Sequence, residues 1–221
     1  MPTETIENYL KQIYLLEQKE DGGLVSMGRI AEAMEVAPGT ATAMVKRLAG
    51  SRHLLYEPYS GVRLSAKGRD VALLVLRRHR LIESFLVDTL GLDWSEVHEE
   101  AERLEHVISD RLLERIDNFL GRPKFDPHGD PIPDMEGRVR EASLISLPAC
   151  EPGARARVAR VLDQNRRFLQ FVDERGLRPG AEIELVSIDS VADSVTVRVD
   201  DHSVTMGRSA AAKLLVEMIG A

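Results

Sequence analysis

Apolar residues recur at helical spacing along the first fifty positions and predict three helices. The first covers 4–20, Ser26 is a typical N-cap for the second, and the third begins near Pro38. Two strand-like segments, 54–57 and 62–65, follow and are separated by a turn. The order of helix, short turn, helix and hairpin is that of a winged helix-turn-helix domain. Such a domain binds DNA through the second helix of the helix-turn-helix pair, which is the third helix of this chain.

The remainder of the chain changes from helical to alternating patterns. A long helix is predicted from Ala66 to Leu90, and a second from an N-cap at Ser95 to Leu120. A stretch rich in Pro and Gly follows and predicts an ordered loop and a linker. A further helix is predicted within 154–176. Short strands typical of a small SH3-like barrel are then predicted at 182–187, 194–199, 203–206 and 213–218.

Charge is distributed unevenly, although the formal net charge of −7 is ordinary. Residues 1–80 carry a net charge of +3, residues 81–150 carry −9, and residues 151–221 carry −1. The basic first segment suits phosphates and the acidic middle suits cations, or is simply a solvated helical face. The single cysteine excludes a disulfide framework and a thiolate-rich zinc cluster. With no apolar run of about 20 residues and no export signal, we expect a soluble cytoplasmic protein.

The third helix carries the candidate DNA-reading residues. Its apolar positions fall on one face, which leaves small and polar side chains on the other. Threonine and alanine suit base edges and thymine methyl groups, and Lys and Arg suit phosphates. The candidates are Pro38, Thr40, Thr42, Ala43, Lys46 and Arg47, with Arg63 and Lys67 from the hairpin region.

Histidines and glutamates recur at helical spacing in the acidic middle. His79 and Glu83 share one helix face, and the next predicted helix carries a similar stripe beside its apolar seam. The members of that stripe are His98, Glu102, Glu105 and His106. Carboxylate oxygens combined with imidazoles suit Mn²⁺ or Fe²⁺. The competing interpretation is a set of surface Glu–His pairs. The zincin motif H-E-x-x-H, the P-loop and the nucleophile elbow are all absent, so an enzyme is not indicated.

Three segments of the sequence resemble the diphtheria-toxin-repressor family of metal-dependent transcriptional repressors, in particular its manganese-responsive type. They are RIAEAMEVAPGTATAMVKRL, RRHRLIESFLVDTLGLDWSEVHEEAERLEHVISDRL and DPHGDPIP, and the resemblance is strongest over residues 4–135. The resemblance implies a primary metal site of Glu102, Glu105 and His106 and a second site of His79, Glu83 and His98. Asn8 occupies the position of a first-helix ligand that is usually Met or Asp.

The resemblance also implies the ion and the partners. An acidic residue at Glu102 is typical of manganese-responsive members, so Mn²⁺ is expected and Fe²⁺ is possible. Metal bound between domains would fix a homodimer for binding to double-stranded operator DNA and would repress metal-uptake genes. We expect no membrane partner, no small organic substrate and no enzymatic activity.

The predicted fold is mainly α. It has a winged helix-turn-helix domain, a helical metal-binding and dimerisation domain and a small SH3-like (FeoA-like) β-barrel. The corresponding ranges are 1–70, 71–140 and 154–221, with a linker over 141–153.

Two alternatives to this function stay open at this point. One is a winged-helix regulator that does not depend on metal, with the His/Glu stripe purely structural. The other is a metal-storage protein or a metalloenzyme that uses the same stripe. His128, in the DPHGDPIP loop, could contact the hinge, although a loop histidine is more often solvated.

Overall fold

The structure is a computed structural model that describes residues 3–20, 23–140 and 142–219. Its chain forms two compact units: Met1–Arg78 with Pro133–Arg138, and His79–Ile132 with Val139–Ala221. No helix within these described ranges combines the length and the apolar character needed to cross a membrane.

The first unit has the predicted winged helix-turn-helix order. The hydroxyl of Ser26 caps the second helix by accepting a hydrogen bond from the backbone N–H of Arg29 at 3.4 Å. Pro38 stands in the first turn of the third helix, where its fixed φ and missing N–H cost nothing. The elements are α1 (Glu4–Lys19), α2 (Met27–Ala33), α3 (Pro38–Gly50), β1 (Leu54–Glu57), β2 (Gly61–Leu64) and α4 (Ala66–Asp88), which continues into the second unit.

A buried carboxylate ties α1 to the hairpin. Strands β1 and β2 pair antiparallel, and Leu64 of β2 lies opposite Leu54. The side chain of Glu17 accepts a hydrogen bond from the backbone N–H of Leu64 at 2.5 Å and pairs with Arg69 at 3.1 Å. Burial raises the pKa of Glu17, although the Leu64 hydrogen bond and the Arg69 charge oppose that rise.

The acidic middle folds into two helices, so the prediction of one helix from Ser95 to Leu120 is wrong. Helix α5 spans Val97–Leu104 and helix α6 spans Asp110–Phe119. The chain turns between them, and Ser109 starts α6 by accepting a hydrogen bond from the backbone N–H of Leu112 at 3.3 Å. A serine that caps a new helix is a stop signal for the preceding one, and the apolar periodicity concealed it.

A six-stranded antiparallel sheet makes up most of the C-terminal part, and the prediction of a mainly α chain is therefore not confirmed. The helix predicted within 154–176 is α7, and the same range also holds a strand that was not predicted, because residues 155–161 alternate between exposed and buried positions. The order across the sheet is β3-β8-β4-β5-β6-β7. The elements are β3 (Ile145–Ser146), β4 (Arg155–Val161), α7 (Arg166–Asp173), β5 (Glu182–Asp189), β6 (Ser194–Val199), β7 (His202–Gly207), α8 (Arg208–Ala211) and β8 (Leu214–Met218).

Contacts through Trp94 and His128 help to join the helical part of the second unit to its sheet. The Trp94 side chain is buried in the same hydrophobic core as Leu169 and Val197. In the loop that follows α6, the carbonyl oxygen of His128 accepts a hydrogen bond from the backbone N–H of Val161 at 2.9 Å. The loop after α6 and the segment before α5 are therefore both held against the C-terminal sheet.

Candidate metal centre and nucleic-acid interface

His79 lies at the centre of a buried cluster of imidazoles and carboxylates in the second unit. Helix α4 places Glu83 one turn after His79, and the His79 Nε2 atom lies 2.9 Å from Glu83 Oε1. The other ring nitrogen of His79, Nδ1, lies 2.5 Å from Glu105 Oε2. Each nitrogen of one imidazole therefore faces a different buried carboxylate.

Helix α5 adds His98 and Glu102 to the cluster from its more exposed side. The His98 Nδ1 atom is 3.0 Å from His79 Nε2 and 3.2 Å from Glu83 Oε1. The Glu102 Oε1 atom is 3.5 Å from His98 Nε2 and 3.8 Å from His79 Nδ1. The side chains of His98 and Glu102 are 41 % and 32 % exposed, so an ion could enter the cluster from this side.

Glu105 connects the two predicted sites. Its Oε1 atom lies 3.2 Å from His106 Nε2, and its Oε2 atom faces His79. Within the described residues, His79, Glu83 and His98 bring ligand atoms within 4.8 Å of one another, as do His79, Glu102 and Glu105. The structure thus brings together six of the seven predicted metal ligands.

The protonation of Glu83 follows from these contacts. Burial alone would raise the pKa of this carboxyl, but the charge on His79 and the contacts with His128, His79 and His98 hold it well below its ordinary value. An ionised carboxylate among imidazoles is the arrangement that a divalent cation needs, because metal binding displaces protons from its ligands.

The donor set fits an ion that prefers oxygen and imidazole nitrogen. The sole thiol, Cys150, packs in the core of the sheet, with its Sγ atom 3.9 Å from Met218 Sδ. The cluster therefore offers only carboxylates and imidazoles, which suit Mn²⁺ or Fe²⁺ better than a soft ion such as Cu⁺.

Sequence reasoning missed Asp126 and His128. The expectation that a loop histidine is solvated is wrong here, because the His128 side chain is fully buried. Its Nδ1 atom lies 3.8 Å from Glu83 Oε2, and Asp126 belongs to the same group of ligand atoms. The available signal was the spacing Asp126-x-His128-Gly129-Asp130, in which a turn-forming Asp and Gly surround a titratable ring.

Crowding of charge perturbs both residues. Burial, followed by the charges of Asp130 and Glu83, raises the pKa of Asp126 to about 8, against the opposing charge of Arg80. Burial by itself would lower the pKa of His128, but the nearby Glu83 carboxylate and its charge raise it to about 9.

Asn8, the seventh predicted ligand, lies half-buried on α1 in the first unit. Its role in metal binding stays a prediction.

The predicted DNA-reading residues lie on α3 and in the hairpin of the first unit. Most of these side chains are exposed, while the buried face of α3 is formed by Ala41, Val45 and Leu48. Thr42 is half-buried, and its hydroxyl donates a hydrogen bond to the carbonyl oxygen of Pro38 at 2.8 Å. The exposed members are Pro38, Thr40, Ala43, Lys46, Arg47, Arg63 and Lys67.

Helix α6 exposes large apolar side chains. Phe119 is 70 % exposed and Leu112 is 53 % exposed. The Phe119 ring packs edge-on against Phe85 of α4, with 6.3 Å between ring centroids. Exposed aromatic and aliphatic side chains grouped in this way mark an interaction surface.

Three family models match the sequence. They are described as the N-terminal DNA binding domain of iron dependent repressors (residues 1–62), the metal binding and dimerisation domain of iron dependent repressors (residues 65–134) and the FeoA domain (residues 145–218).

Similar proteins cover nearly the whole chain. The iron-dependent repressor IdeR of Mycobacterium leprae is 33 % identical over 237 residues, covering 98 % of each chain. The diphtheria toxin repressor of Corynebacterium diphtheriae is 33 % identical and covers 84 % of this chain and 86 % of that protein. A solved manganese-dependent transcriptional repressor in complex with manganese has a TM-score of 0.87 and 35 % identity, covering 97 % of this chain and 100 % of that one. The repressor ScaR with bound Cd²⁺ has a TM-score of 0.82 and 32 % identity, covering 99 % of this chain and 100 % of that one.

Proposed function

We propose, because the chain belongs to the iron-dependent repressor family of metal-dependent, DNA-binding transcriptional repressors, that Mn²⁺ is the ion that it senses. This family comprises repressors rather than enzymes. The observation that supports Mn²⁺ is Glu102, which adds a third carboxylate to a cluster of oxygens and imidazoles. Fe²⁺ is the second candidate, because the relative IdeR of Mycobacterium leprae is named as an iron-dependent repressor.

Two ligand sets divide the cluster. Glu102, Glu105 and His106 form the proposed primary site. His79, Glu83 and His98 form the proposed second site, and Asn8 stays a proposed ligand on α1. A bound divalent ion supplies positive charge where several carboxylates lie close together.

The two sets cannot respond independently, because Glu105 contacts a member of each. Its Oε1 atom faces His106 and its Oε2 atom faces His79. If the Glu105 carboxylate reorients when the primary site binds an ion, its contact with His79 of the second site also changes. We expect occupancy of the two sites to be coupled.

Metal acts on DNA binding through a difference in affinity between conformations. An ion shifts the population only toward the arrangement that it binds more tightly. Helix α4 carries His79 and Glu83 and begins at Ala66, next to the hairpin. We propose that occupied sites favour the arrangement of the dimer that places two α3 helices in successive major grooves, about 34 Å apart.

The proposed DNA contacts divide by chemistry. Thr40, Thr42 and Ala43 would read base edges. The positively charged contacts to phosphates would be Lys46, Arg47, Arg63 and Lys67. The amine of Lys67 donates to the carbonyl oxygen of Ser51 at 3.2 Å, and this contact also fixes the end of α3 beside the hairpin.

The exposed apolar face of α6 is the proposed homodimer contact. The domain model that covers α6 describes a dimerisation domain, and Leu112, Phe119 and the neighbouring Phe85 present the apolar surface that a second copy would cover. Phe119→Glu should yield a monomer in light scattering and should weaken operator binding. A dimer that survives this change would show that another surface joins the protomers.

DNA binding titrated against metal tests the proposed function. A duplex selected from a random-sequence pool in the presence of Mn²⁺ serves as the probe, and its affinity is measured by fluorescence anisotropy with MnCl₂, with FeCl₂ under anaerobic conditions, and with EDTA. We expect Mn²⁺ to raise the affinity at least tenfold over EDTA, and Glu102→Ala to abolish that increase. Glu99→Ala, an exposed change on the same helix, should behave as wild type. Affinity that is equal in all three conditions would contradict metal dependence of this chain.

A further inference from the structure

The loop that carries Asp126 and His128 is fixed from several sides. The Asp126 Oδ1 atom accepts hydrogen bonds from the backbone N–H groups of His128 and Asp130, both at 2.9 Å. Gly129 has a φ of +83°, and its Cα lies against the backbone of Ala159 and Arg160 in β4. The second carboxylate oxygen of Asp126 is therefore directed by a rigid turn rather than by a flexible side chain.

One hydrogen bond fixes the orientation of the His128 ring. Its Nε2 atom lies 2.8 Å from the carbonyl oxygen of Trp94, and the ring stacks on the Trp94 indole with 5.5 Å between centroids. A carbonyl oxygen only accepts, so Nε2 carries the hydrogen and donates it. The other nitrogen, Nδ1, is directed at Glu83, and an ion bound there would replace its proton.

Three buried atoms converge without hydrogen-bond partners among the described residues: Glu83 Oε2, Asp126 Oδ2 and His128 Nδ1. Each of these three residues has a ligand atom within 4.8 Å of those of the other two. Native proteins rarely leave such atoms unsatisfied, because burying them unpaired is costly.

The spacing of these atoms favours a shared cation over a direct contact. His128 Nδ1 and Glu83 Oε2 are 3.8 Å apart, which is beyond hydrogen-bond range. Two ligands that each lie about 2.2 Å from one ion are separated by about 3.1–3.8 Å. The observed separation therefore suits two ligands of the same divalent ion.

The charged groups around the three atoms also favour a bound cation. Glu83, Asp126 and Asp130 contribute three carboxylates. The guanidinium of Arg80 lies 3.6 Å from Asp126 and 3.5 Å from Asp130. Arg160 also pairs with Asp130. Metal binding would displace the protons of Asp126 and His128, and the three carboxylates would then exceed the two guanidiniums by one negative charge that the cation neutralises.

We propose that Glu83, Asp126 and His128 form a third divalent-cation site, in which the Glu83 carboxylate bridges to the ion held by His79 and His98. This site takes a hard or borderline ion of the Mn²⁺ class, because its donors are two carboxylate oxygens and one imidazole nitrogen. It shares Glu83 with one site of the proposed function but does not require the Glu102 site to be filled.

Anomalous diffraction from crystals of the full chain grown with MnCl₂ locates the ions directly. We expect a peak between Glu83, Asp126 and His128, in addition to the peaks at the two proposed sites. Peaks at those two sites with none at the third would overturn this inference and leave the proposed function intact. A peak at the third site with none at Glu102, Glu105 and His106 would overturn the proposed function alone.

Metal content of purified variants gives a second measurement that does not depend on crystals. Asp126→Asn keeps Oδ1, which receives both loop hydrogen bonds, and changes only the oxygen directed at the ion. After loading with Mn²⁺ and desalting, we expect this variant to hold one ion fewer per chain than wild type. Asp189→Asn, the same change in an exposed turn of the sheet, should hold the wild-type number. Equal metal content in Asp126→Asn and wild type would count against the third site.

Discussion

Each unit of the chain buries carboxylates, but they are satisfied in different ways. In the first unit, Glu17 receives the backbone N–H of Leu64 and the guanidinium of Arg69, so its charge is paired inside the protein. In the second unit, Glu83 and Glu105 face imidazoles at 2.5–2.9 Å, on opposite sides of His79. A guanidinium keeps its proton and its charge, whereas an imidazole can exchange a proton for a metal ion. The comparison separates a structural buried acid from one that is suited to sensing.

Removing Glu105 tests the metal-sensing role assigned to the buried carboxylates of the second unit, and it should have the largest effect on metal binding. We expect Glu105→Gln to lower the affinity for Mn²⁺ by at least about 100-fold, because this carboxylate faces ligands of both proposed sites. Saturating Mn²⁺ at 100 times its Kd stabilises wild type by about 2.7 kcal/mol, and this stabilisation should disappear in the variant. Isothermal titration calorimetry and urea unfolding measure the two quantities. Wild-type affinity in the variant would remove Glu105 from the ligand set.

Removing Glu17 tests the structural role assigned to the buried carboxylate of the first unit. Glu17→Ala leaves the buried N–H of Leu64 without its acceptor and should lower the free energy of unfolding by about 1–3 kcal/mol. Its affinity for Mn²⁺ should equal that of wild type. Urea unfolding in EDTA and calorimetry in MnCl₂ provide the readouts. A loss of metal affinity without a loss of stability would reverse the roles assigned to the two carboxylates.

Replacing a hard ligand of the metal cluster with a soft one tests which residue sets the metal preference. Glu102→Cys replaces a hard oxygen with a thiol, so we expect the preference between Mn²⁺ and Cd²⁺ to move toward Cd²⁺ by roughly tenfold. Competition binding with both ions measures this ratio. Glu99→Cys, on the exposed side of α5, is the control for the new thiol. If both variants shift equally, Glu102 does not set the metal preference.

The smallest effect concerns the acid stability of the first unit, where His53 has no carboxylate partner like those of His79 among the residues that the structure describes. Burial, and then the charge of Lys67, lowers the pKa of His53 below its usual 6.5. Between that lowered pKa and about pH 6.5 the unfolded chain binds more protons than the folded chain, so stability falls as the pH decreases through this window. Hydrogen exchange of α3 amides in EDTA should show this fall in wild type and a shallower one in His53→Asn. Identical slopes would exclude His53 as the cause.

The sequence was informative wherever neighbours along the chain determine structure. Ser26, Pro38 and the apolar spacing of α3 defined the first unit almost to the residue, because caps and periodicity act within a few residues. The same local logic placed His79 with Glu83, and His98 with Glu102, each pair on one face of its helix.

The sequence was least informative where distant segments decide the outcome. The burial of His128 depends on Trp94, which lies 34 positions earlier, and on Val161 in β4. Strand β4 was not predicted, because its register is fixed by pairing with β5 and β8 rather than by its own propensities. Non-local contacts of this kind leave almost no trace in local periodicity.

The close contact of Gly129 with β4 predicts the phenotype of a mutation at this position. Any side chain at this position would collide with β4, and its backbone angle would also be strained. An allele altered only there would encode every proposed metal ligand and every DNA-reading residue unchanged. We nevertheless expect it to score as a loss of regulation, because the loop that aims Asp126 and His128 would be forced away from its support.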